Sequence, residues 1–304
     1  MDIIEINKKK DIILSIIIPF HNRVDLLINT INSIKNNTSN DYEIILIDDD
    51  SSIEEYHKIN AFIKNQNIFL YRTKKKERGF ARNFGALKAR GQYLNFFDSD
   101  DIALDNHVSS FKDFIKNNNH PNIFSNSYYV KNLRLNKSYK IIHKGILNNK
   151  IFKNNILSCN ATFIKKDFFL KYKFSTIIEL SGSEDWELWL RIASQNLIYG
   201  NEIISSIIID HNQRTTRVQN FYKIFHRLNF LHKSVKDNKI FKQINKLNTI
   251  ESEIYSFKSL IYSPIIQKKI NAFLYLIYSI YLRPSRIIEK RTMVIIFKIL
   301  FKFT

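Results

Sequence analysis

The sequence predicts an α/β protein built on a mostly parallel sheet with helices on both faces. Three observations carry that expectation. Over the first hundred residues, β-branched apolar runs alternate with segments of helical spacing, the rhythm of a parallel sheet with crossover helices. The runs are apolar throughout, as strands covered on both faces are. Each of the main runs also stops at a polar cluster, and open α/β sheets hold their ligands beyond the carboxyl ends of their strands.

Taken in order, Ile12 to Ile18 reads as a strand closed by Pro19. Val24 to Ile34 carries Leu27, Ile28, Ile31 and Ile34 at helical spacing. Tyr42 to Ile47 is a second strand, ended by Asp48-Asp49-Asp50-Ser51. A helix over Glu54 to Ile63, a strand over Ile68 to Tyr71 and a helix over Phe80 to Ala89 follow. Tyr93 to Phe97 is a fourth strand, ended by Asp98-Ser99-Asp100-Asp101. Beyond Asp105 the pattern is weaker. Val108 to Ile115 and Asp185 to Ala193 read as helices, and Ala161 to Ile164 and Ile203 to Ile209 as strands. From about Val218 helical spacing dominates. This suggests a first domain over residues 1–216 and a helical, basic C-terminal region over 217–304.

The chain's 304 residues can bury a large core, and 6 Gly with 4 Pro exclude collagen-like and low-complexity classes. Cys159, the single cysteine, allows no internal disulfide, which suits a reducing compartment. Met1 to Lys10 has no apolar stretch, so no secretory leader is expected. Lys and Arg number 47 against 28 Asp and Glu, a formal charge of +19 that points to anionic partners. Residues 221–304 alone carry 16 basic and 4 acidic side chains.

Several clusters could carry chemistry. Asp98 and Asp100 at a strand end would project to one side, where two carboxylates repel unless a cation such as Mg²⁺ or Mn²⁺ lies between them. They could equally be solvated, with Asp100 or Asp101 capping the next helix. One of Asp48 to Asp50 could accept a base or ribose hydrogen bond, or this stretch could simply cap the helix at Glu54 through Ser51 or Ser52. Arg78 to Asn83 opens a helix whose free N–H groups and arginines suit a phosphate, or is a solvated basic loop. Asp185, beside Trp186 and Trp189, could be a general base or a helix cap. His211 could be a metal ligand or a surface histidine. The chain has no G-x-G-x-x-G, P-loop, H-E-x-x-H, C-x-x-C or G-x-S-x-G motif, so dinucleotide oxidoreductase, P-loop kinase and zinc or serine hydrolase chemistry lack support.

In order and spacing, Ser15 to Arg23, Ile47 to Ser51, Gly79 to Gly85, Phe96 to Asp101 and Ser183 to Arg191 resemble the motifs of glycosyltransferase family 2, the inverting group with the GT-A fold. The likeness spans about residues 12–216. It departs at Asp50, where the family commonly has Gly or Asn, and at His21, where a Tyr or similar residue is usual. The resemblance implies a nucleotide-sugar donor, UDP-linked in the usual case, and a saccharide or lipid-linked saccharide acceptor in surface-polysaccharide synthesis. Pro19, His21, Arg23, Asp49, Arg78, Arg82, Asp98 and Ser99 would line the donor pocket. Asp98, Asp100 and His211, with Arg214 nearby, would serve Mn²⁺ or Mg²⁺ and the diphosphate. Asp185 would be the base. One displacement inverts the anomeric centre, so no covalent nucleophile is required.

Two rival functions remain at this stage. A basic binding module for nucleic acid or acidic polymer would fit the charge, but no zinc finger, RRM signature or basic heptad is present, and no nucleic-acid partner is expected. A metal-dependent nucleotidyltransferase would use similar carboxylates. In the tail, Ile270 to Leu282 is uncharged but would span only about 20 Å as a helix, too short to cross a bilayer. It and Val294 to Phe303 would either pack on the protein or a second copy, or lie on an anionic membrane surface. The family resemblance favours a cytoplasmic protein peripheral to the inner membrane face.

Overall fold

The computed structural model describes residues 12–39, 41–74, 77–211 and 221–301. The chain forms two compact units. The first comprises Met1–Gly145, Ser158–Lys173 and Tyr199–Asp210, the second Ile146–Leu157, Phe174–Ile198 and His211–Thr304. The sequence border at 216/217 falls within 212–220, outside the described residues, and the second unit also takes in two earlier stretches.

The first unit holds β1 (Leu14–Phe20), α1 (Val24–Lys35), β2 (Tyr42–Asp49), α2 (Ile53–Ile63), β3 (Ile68–Thr73), α3 (Arg78–Lys88), β4 (Tyr93–Phe96), β5 (Ile102–Ala103) and α4 (His107–Asn117). It continues with β6 (Ile123–Asn132) and β7 (Lys137–Ile141), and a two-residue strand β8 (Gly145–Ile146) lies at the border of the units. Another helix of the second unit, α5 (Asn148–Lys153), intervenes before β9 (Thr162–Lys165) and α6 (Lys166–Tyr172). After α7 (Glu184–Ala193), again in the second unit, β10 (Tyr199–Asp210) completes the sheet. The main order is β3-β2-β1-β4-β9-β6-β10-β5, with β7 beside β6.

Strands β3, β2, β1 and β4 are all parallel, as the alternating pattern predicts. Beyond β4 the sheet becomes mixed, because β9 runs antiparallel to both β4 and β6 while β6 and β10 are parallel. The pleat sorts the β-branched runs onto two faces. Ile16, Ile18 and Leu46 pack with the α1 stripe Val24, Leu27, Ile31 and Ile34. Ile17 and Ile47 face α3, where a Cβ on Gly85 would come within 2.4 Å of Ile17. Gly85 therefore lets α3 sit close on the sheet. A Cβ on Gly91 would lie 2.6 Å from the Ser15 backbone nitrogen, so the turn into β4 also admits no side chain. Ser15 Oγ accepts from the Gly91 N–H at 2.8 Å.

A polar seam runs through this core. His107 is fully buried, its Nε2 3.1 Å from Asn95 Oδ1 and its Nδ1 3.2 Å from Ser205 Oγ. The Asn95 amide donates to the carbonyls of Asn160 and Thr162 at 2.9 and 3.0 Å, leaving its oxygen to accept from histidine. Burial drives the His107 pKa down to about 4, so the ring is neutral at pH 7.

The second unit contains α5, α7, α8 (Phe221–Asp237), α9 (Lys239–Gln243), α10 (Leu247–Tyr262), α11 (Lys269–Leu282) and α12 (Lys290–Leu300). Its α10/α11 contact contains a seam of small polar residues beside tyrosine rings. Ser252, Ser256, Ser259 and Ser263 form a fully buried stripe at helical spacing. Ser259 Oγ donates to the Ala272 carbonyl at 2.6 Å, and Ser252 and Ser279 exchange hydroxyl-to-carbonyl bonds at 2.7 and 2.6 Å. Glu253, 1% exposed, receives Arg286 and Arg291.

Candidate active site

The loop from β1 into α1 turns sharply because Asn22 and Arg23 take φ of 56° and 55°. A left-handed conformation costs an L-residue about 1–2 kcal/mol, least for Asn. Contacts with the loop after β2 offset that cost. The Asn22 N–H donates to Ser51 Oγ at 2.7 Å, and Asn22 Oδ1 accepts from the Ser52 N–H at 2.9 Å. His21 Nδ1 donates to the Asp49 carbonyl at 2.9 Å. The first two strand-end loops are thus stapled into one floor.

At the end of β2 the three aspartates part ways. Asp48 is fully buried; its Oδ1 accepts from the Ser51 N–H at 2.9 Å, and its Oδ2 lies 3.2 Å from Arg72 Nε. Asp49 Oδ1 accepts from the Thr73 hydroxyl at 2.8 Å. Asp50 has φ of 65°, which accounts for Gly or Asn being the easier residues there. Ser52 caps α2 by accepting from the Glu55 N–H at 3.3 Å.

β4 ends at Phe96, so Asp98-Ser99-Asp100 lie in a turn and strand alternation does not fix their directions. Asn160 Oδ1 accepts the Asp98 N–H at 2.8 Å and anchors the turn. Each carboxylate has a different arginine. Asp98 Oδ1 accepts from Arg82 at 2.9 Å, and Asp100 lies 3.7 Å from Arg23. Arg82 is buried, tying α3 to the turn, and Arg23 ties the turn to the β1 loop. Asp101 is not the cap of the next helix. Fully buried, it accepts from the Ile209 N–H at 2.6 Å and the Asn160 amide at 2.7 Å, clamping β10.

The α3 N-terminus differs from expectation. Glu77, 5% exposed, receives the N–H groups of Gly79 (2.8 Å) and Phe80 (2.5 Å), so the donors offered to a phosphate are held by a protein carboxylate. Arg78 remains half-buried at the start of that helix, Pro19 is half-buried near the end of β1, and Ser99 is half-buried in the turn after β4.

Asp185 and His211 belong to the second unit. Asp185 stands in the first turn of α7. Its Oδ1 accepts from the Trp186 N–H at 2.7 Å and its Oδ2 from the Asn155 amide at 3.3 Å. Both tryptophans are core residues, at 3% and 0% exposure. Trp186 Nε1 donates to the Ile151 carbonyl at 3.1 Å, fixing the helix that carries Asp185. His211 follows β10 and is half-buried; Arg214 lies outside the described residues. Among the described residues no three metal-ligating side chains cluster. The oxygen donors of Asp98 and Asp100 still suit a hard divalent cation, which would compete there with Arg82 and Arg23.

Glu77, Thr73, Asn160 and Arg72 are the supporting residues that sequence reasoning missed. For Glu77 the only local signal is an acid just before a helix start, set among basic neighbours. The other three act across 21 to 62 residues of chain, and no local pattern marks them.

Strand-end loops of a parallel half-sheet, converging on carboxylates and arginines, define the GT-A class of fold. The structure shares that fold with residues 1–349 of S. aureus TarS, solved in complex with UDP-GlcNAc: TM-score 0.68, 15% identity, 91% of this chain and 83% of that one. It also resembles GalNAc-T7 solved with UDP, GalNAc and Mn²⁺ (TM-score 0.59, 17% identity, covering 92% of this chain and 58% of that one). The chain belongs to glycosyltransferase family 2, whose model, described as glycosyl transferase family 2, matches residues 15–173. An uncharacterized glycosyltransferase of Rickettsia conorii, RC0461, is 29% identical over 69% of this chain and 35% of its own length. The chain thus spans about a third of that relative. Escherichia coli WfgD, a UDP-Glc:alpha-D-GlcNAc-diphosphoundecaprenol beta-1,3-glucosyltransferase, is 27% identical over 62% of this chain and 72% of its own length.

Proposed function

We propose that the protein is an inverting, metal-dependent glycosyltransferase. It moves a sugar from a UDP-linked donor to a saccharide or lipid-linked saccharide acceptor in surface-polysaccharide synthesis. The observation that carries this reading is the joining of the β1, β2 and β4 loops through His21, Asn22 and the Arg23–Asp100 pair. That arrangement supports reading these loops, which hold residues the family motifs mark, as one binding edge.

In this reading Thr73 orients Asp49 to accept a base N–H, with Pro19, His21 and Arg23 beside it. Arg78 and Arg82 contribute positive charge toward the diphosphate, and Ser99 a hydroxyl. Asp98, Asp100 and His211 would hold Mn²⁺ or Mg²⁺, which supplies charge neutralisation for the leaving nucleoside diphosphate. Asp185 takes the proton of the acceptor hydroxyl as its oxygen attacks the sugar C1 from the opposite face. The C1–O bond to the diphosphate breaks in the same displacement. The protein would act in the cytoplasm, peripheral to the inner face of the membrane. WfgD, which acts on a diphosphoundecaprenol-linked sugar, supports the choice of acceptor class.

The test is a panel of nucleotide sugars with Mn²⁺, read as nucleoside diphosphate released. Release of UDP from one UDP-sugar is expected. Release of pyrophosphate would identify a nucleotidyltransferase instead, and turnover undiminished by chelation would remove the metal.

A further inference from the structure

The last two helices of the second unit carry their large apolar side chains on the outside and mostly small side chains within. On α11 the exposed apolar residues are Ile270, Phe273, Leu274, Ile277, Tyr278 and Tyr281, at 44–76% exposure and helical spacing. The face turned to α10 is Ala272, Leu276 and Ser279, all buried. On α12, Met293, Val294, Ile296, Phe297 and Leu300 are exposed, while Thr292 and Ile295 are buried. Ile287 and Ile288, in the turn between these helices, are 53% and 80% exposed. Of the 28 large apolar side chains exposed among the described residues, 15 fall between Ile266 and Phe301. Scattered apolar side chains on a surface are ordinary, but one continuous patch on neighbouring helices marks a docking face.

The two helices form one surface. Lys269 Nζ donates to the Ile299 carbonyl at 2.6 Å, joining the start of α11 to the end of α12, and both helices pack on α10. Their inner contacts include the serine-to-carbonyl bonds and the Glu253 ion pairs, beside Ala272, Leu276 and Ile295 and the Tyr255–Tyr275 ring contact. A seam of small, hydrogen-bonded residues between helices that carry large apolar ones outside is the arrangement of helices whose surroundings are lipid.

We infer that the outer face of α11 and α12 is a docking surface for an anionic lipid bilayer. Charge selects that occupant. Of the seven basic residues from Pro264 to Phe301, Arg283 and Arg286 are buried and Arg291 pairs with Glu253, so the surface charge is that of Lys268, Lys269, Lys290 and Lys298, against one acidic residue, Glu289. Glu289 pairs with Arg283 and Arg286, so its charge is already matched. A second copy docking through a two-fold axis would set this cationic rim against itself, whereas anionic headgroups neutralise it. Tyr278 and Tyr281 have the amphipathic rings that settle at headgroup level. No described helix is long and apolar enough to span a membrane, and α11, with 14 residues, is about 21 Å long. The helices therefore lie in the interface. The inference rests on the peripheral placement proposed above for its cellular setting, but not on the transferase chemistry.

The test is co-sedimentation of the full chain with vesicles of phosphatidylcholine alone or mixed with phosphatidylglycerol. Binding should require phosphatidylglycerol and weaken with salt. The Ile277→Glu/Phe297→Glu double variant should bind at least about ten-fold more weakly, and Lys290→Glu a few-fold. Ile277→Ser/Phe297→Ser serves in its place if thermal melting shows the glutamates unfold the chain. Equal absence of binding to both vesicle types, or undiminished binding by the double variant, overturns the inference. So does a dimer, seen by sedimentation velocity, that the double variant abolishes while the parent ignores vesicles. UDP release from the donor alone should be the same in parent and variants, so that failure here leaves the transferase reading standing.

Discussion

The two units place their carboxylates to opposite ends. In the first unit, an apolar sheet core pushes Asp49, Asp98 and Asp100 to the strand ends, with arginines or a threonine on one side. In the second, Glu253 is 1% exposed between Arg286 and Arg291 while phenylalanines and isoleucines face outward. A carboxylate at a rim can exchange its partner for a ligand. A carboxylate sealed among arginines cannot do so without unfolding its surroundings. Asp98 and Asp100 of the first unit are thus placed where they can change partners, and Glu253 of the second where it cannot.

The largest effect that sharpens this contrast is expected at Asp185, the candidate working carboxylate of the second unit. Asp185→Asn should lower sugar transfer by about 10²–10⁴-fold while calorimetric donor affinity holds, as loss of a general base does. Near-normal transfer would take Asp185 out of the mechanism. Next, Glu253→Ala should cost about 3–5 kcal/mol in urea unfolding, because the fully buried Arg286 loses its buried ion partner and the half-buried Arg291 loses one too. A loss below about 1 kcal/mol, typical of a surface pair, would show that the second unit's interior is wet.

An intermediate effect probes the polar seam of the first unit. The His107 pKa is pushed by burial from an ordinary 6.5 down to about 4, so the unfolded chain binds the proton more readily than the folded one. Stability should fall as pH drops from 6.5 toward 4, by roughly 3 kcal/mol in all. Thermal melts across this window should be flatter in His107→Gln, and identical slopes would acquit the histidine. At the rim, Asp100→Ala should weaken donor binding in Mn²⁺ by about ten-fold, or about 1.4 kcal/mol, and have less effect in EDTA. Unchanged affinity in both buffers would disconnect Asp100 from the donor. The smallest effect is a gain. Asp50→Gly should relieve the left-handed backbone and stabilise the chain by about 0.5–1 kcal/mol, visible as a higher melting temperature.

How much could be read in advance follows from the range of the interactions. Strands β1 to β4 and helices α1 to α3 were legible because their signal is local, with runs such as Ile16-Ile17-Ile18 and stripes such as Leu27, Ile31 and Ile34. The three strand-end clusters came with them. The occupation of the α3 N-terminus by Glu77 was not legible, because an acid among Lys74, Lys75, Lys76 and Arg78 carries no periodic signal of a cap. Asp98 and Asp100 were expected to share a direction on strand geometry that stops at Phe96. The antiparallel entry of β9 and the Asn95–His107–Ser205 seam join residues up to 98 apart, beyond any periodic signal. In α11 the apolar residues were plain, but which side they face depends on the serines of α10, and composition alone does not choose.

Gly91 acts as a spacer with consequences well away from itself. With no side chain there, Gly91 abuts Ser15, and the β1–β4 register aligns Ile17 with Phe96. A slide of two residues in that pairing would carry the Asp98–Asp100 turn about 7 Å along the sheet axis. Arg23 could no longer reach it, and the tolerance of the whole crevice is therefore set by one missing methyl group at the far end of the strand.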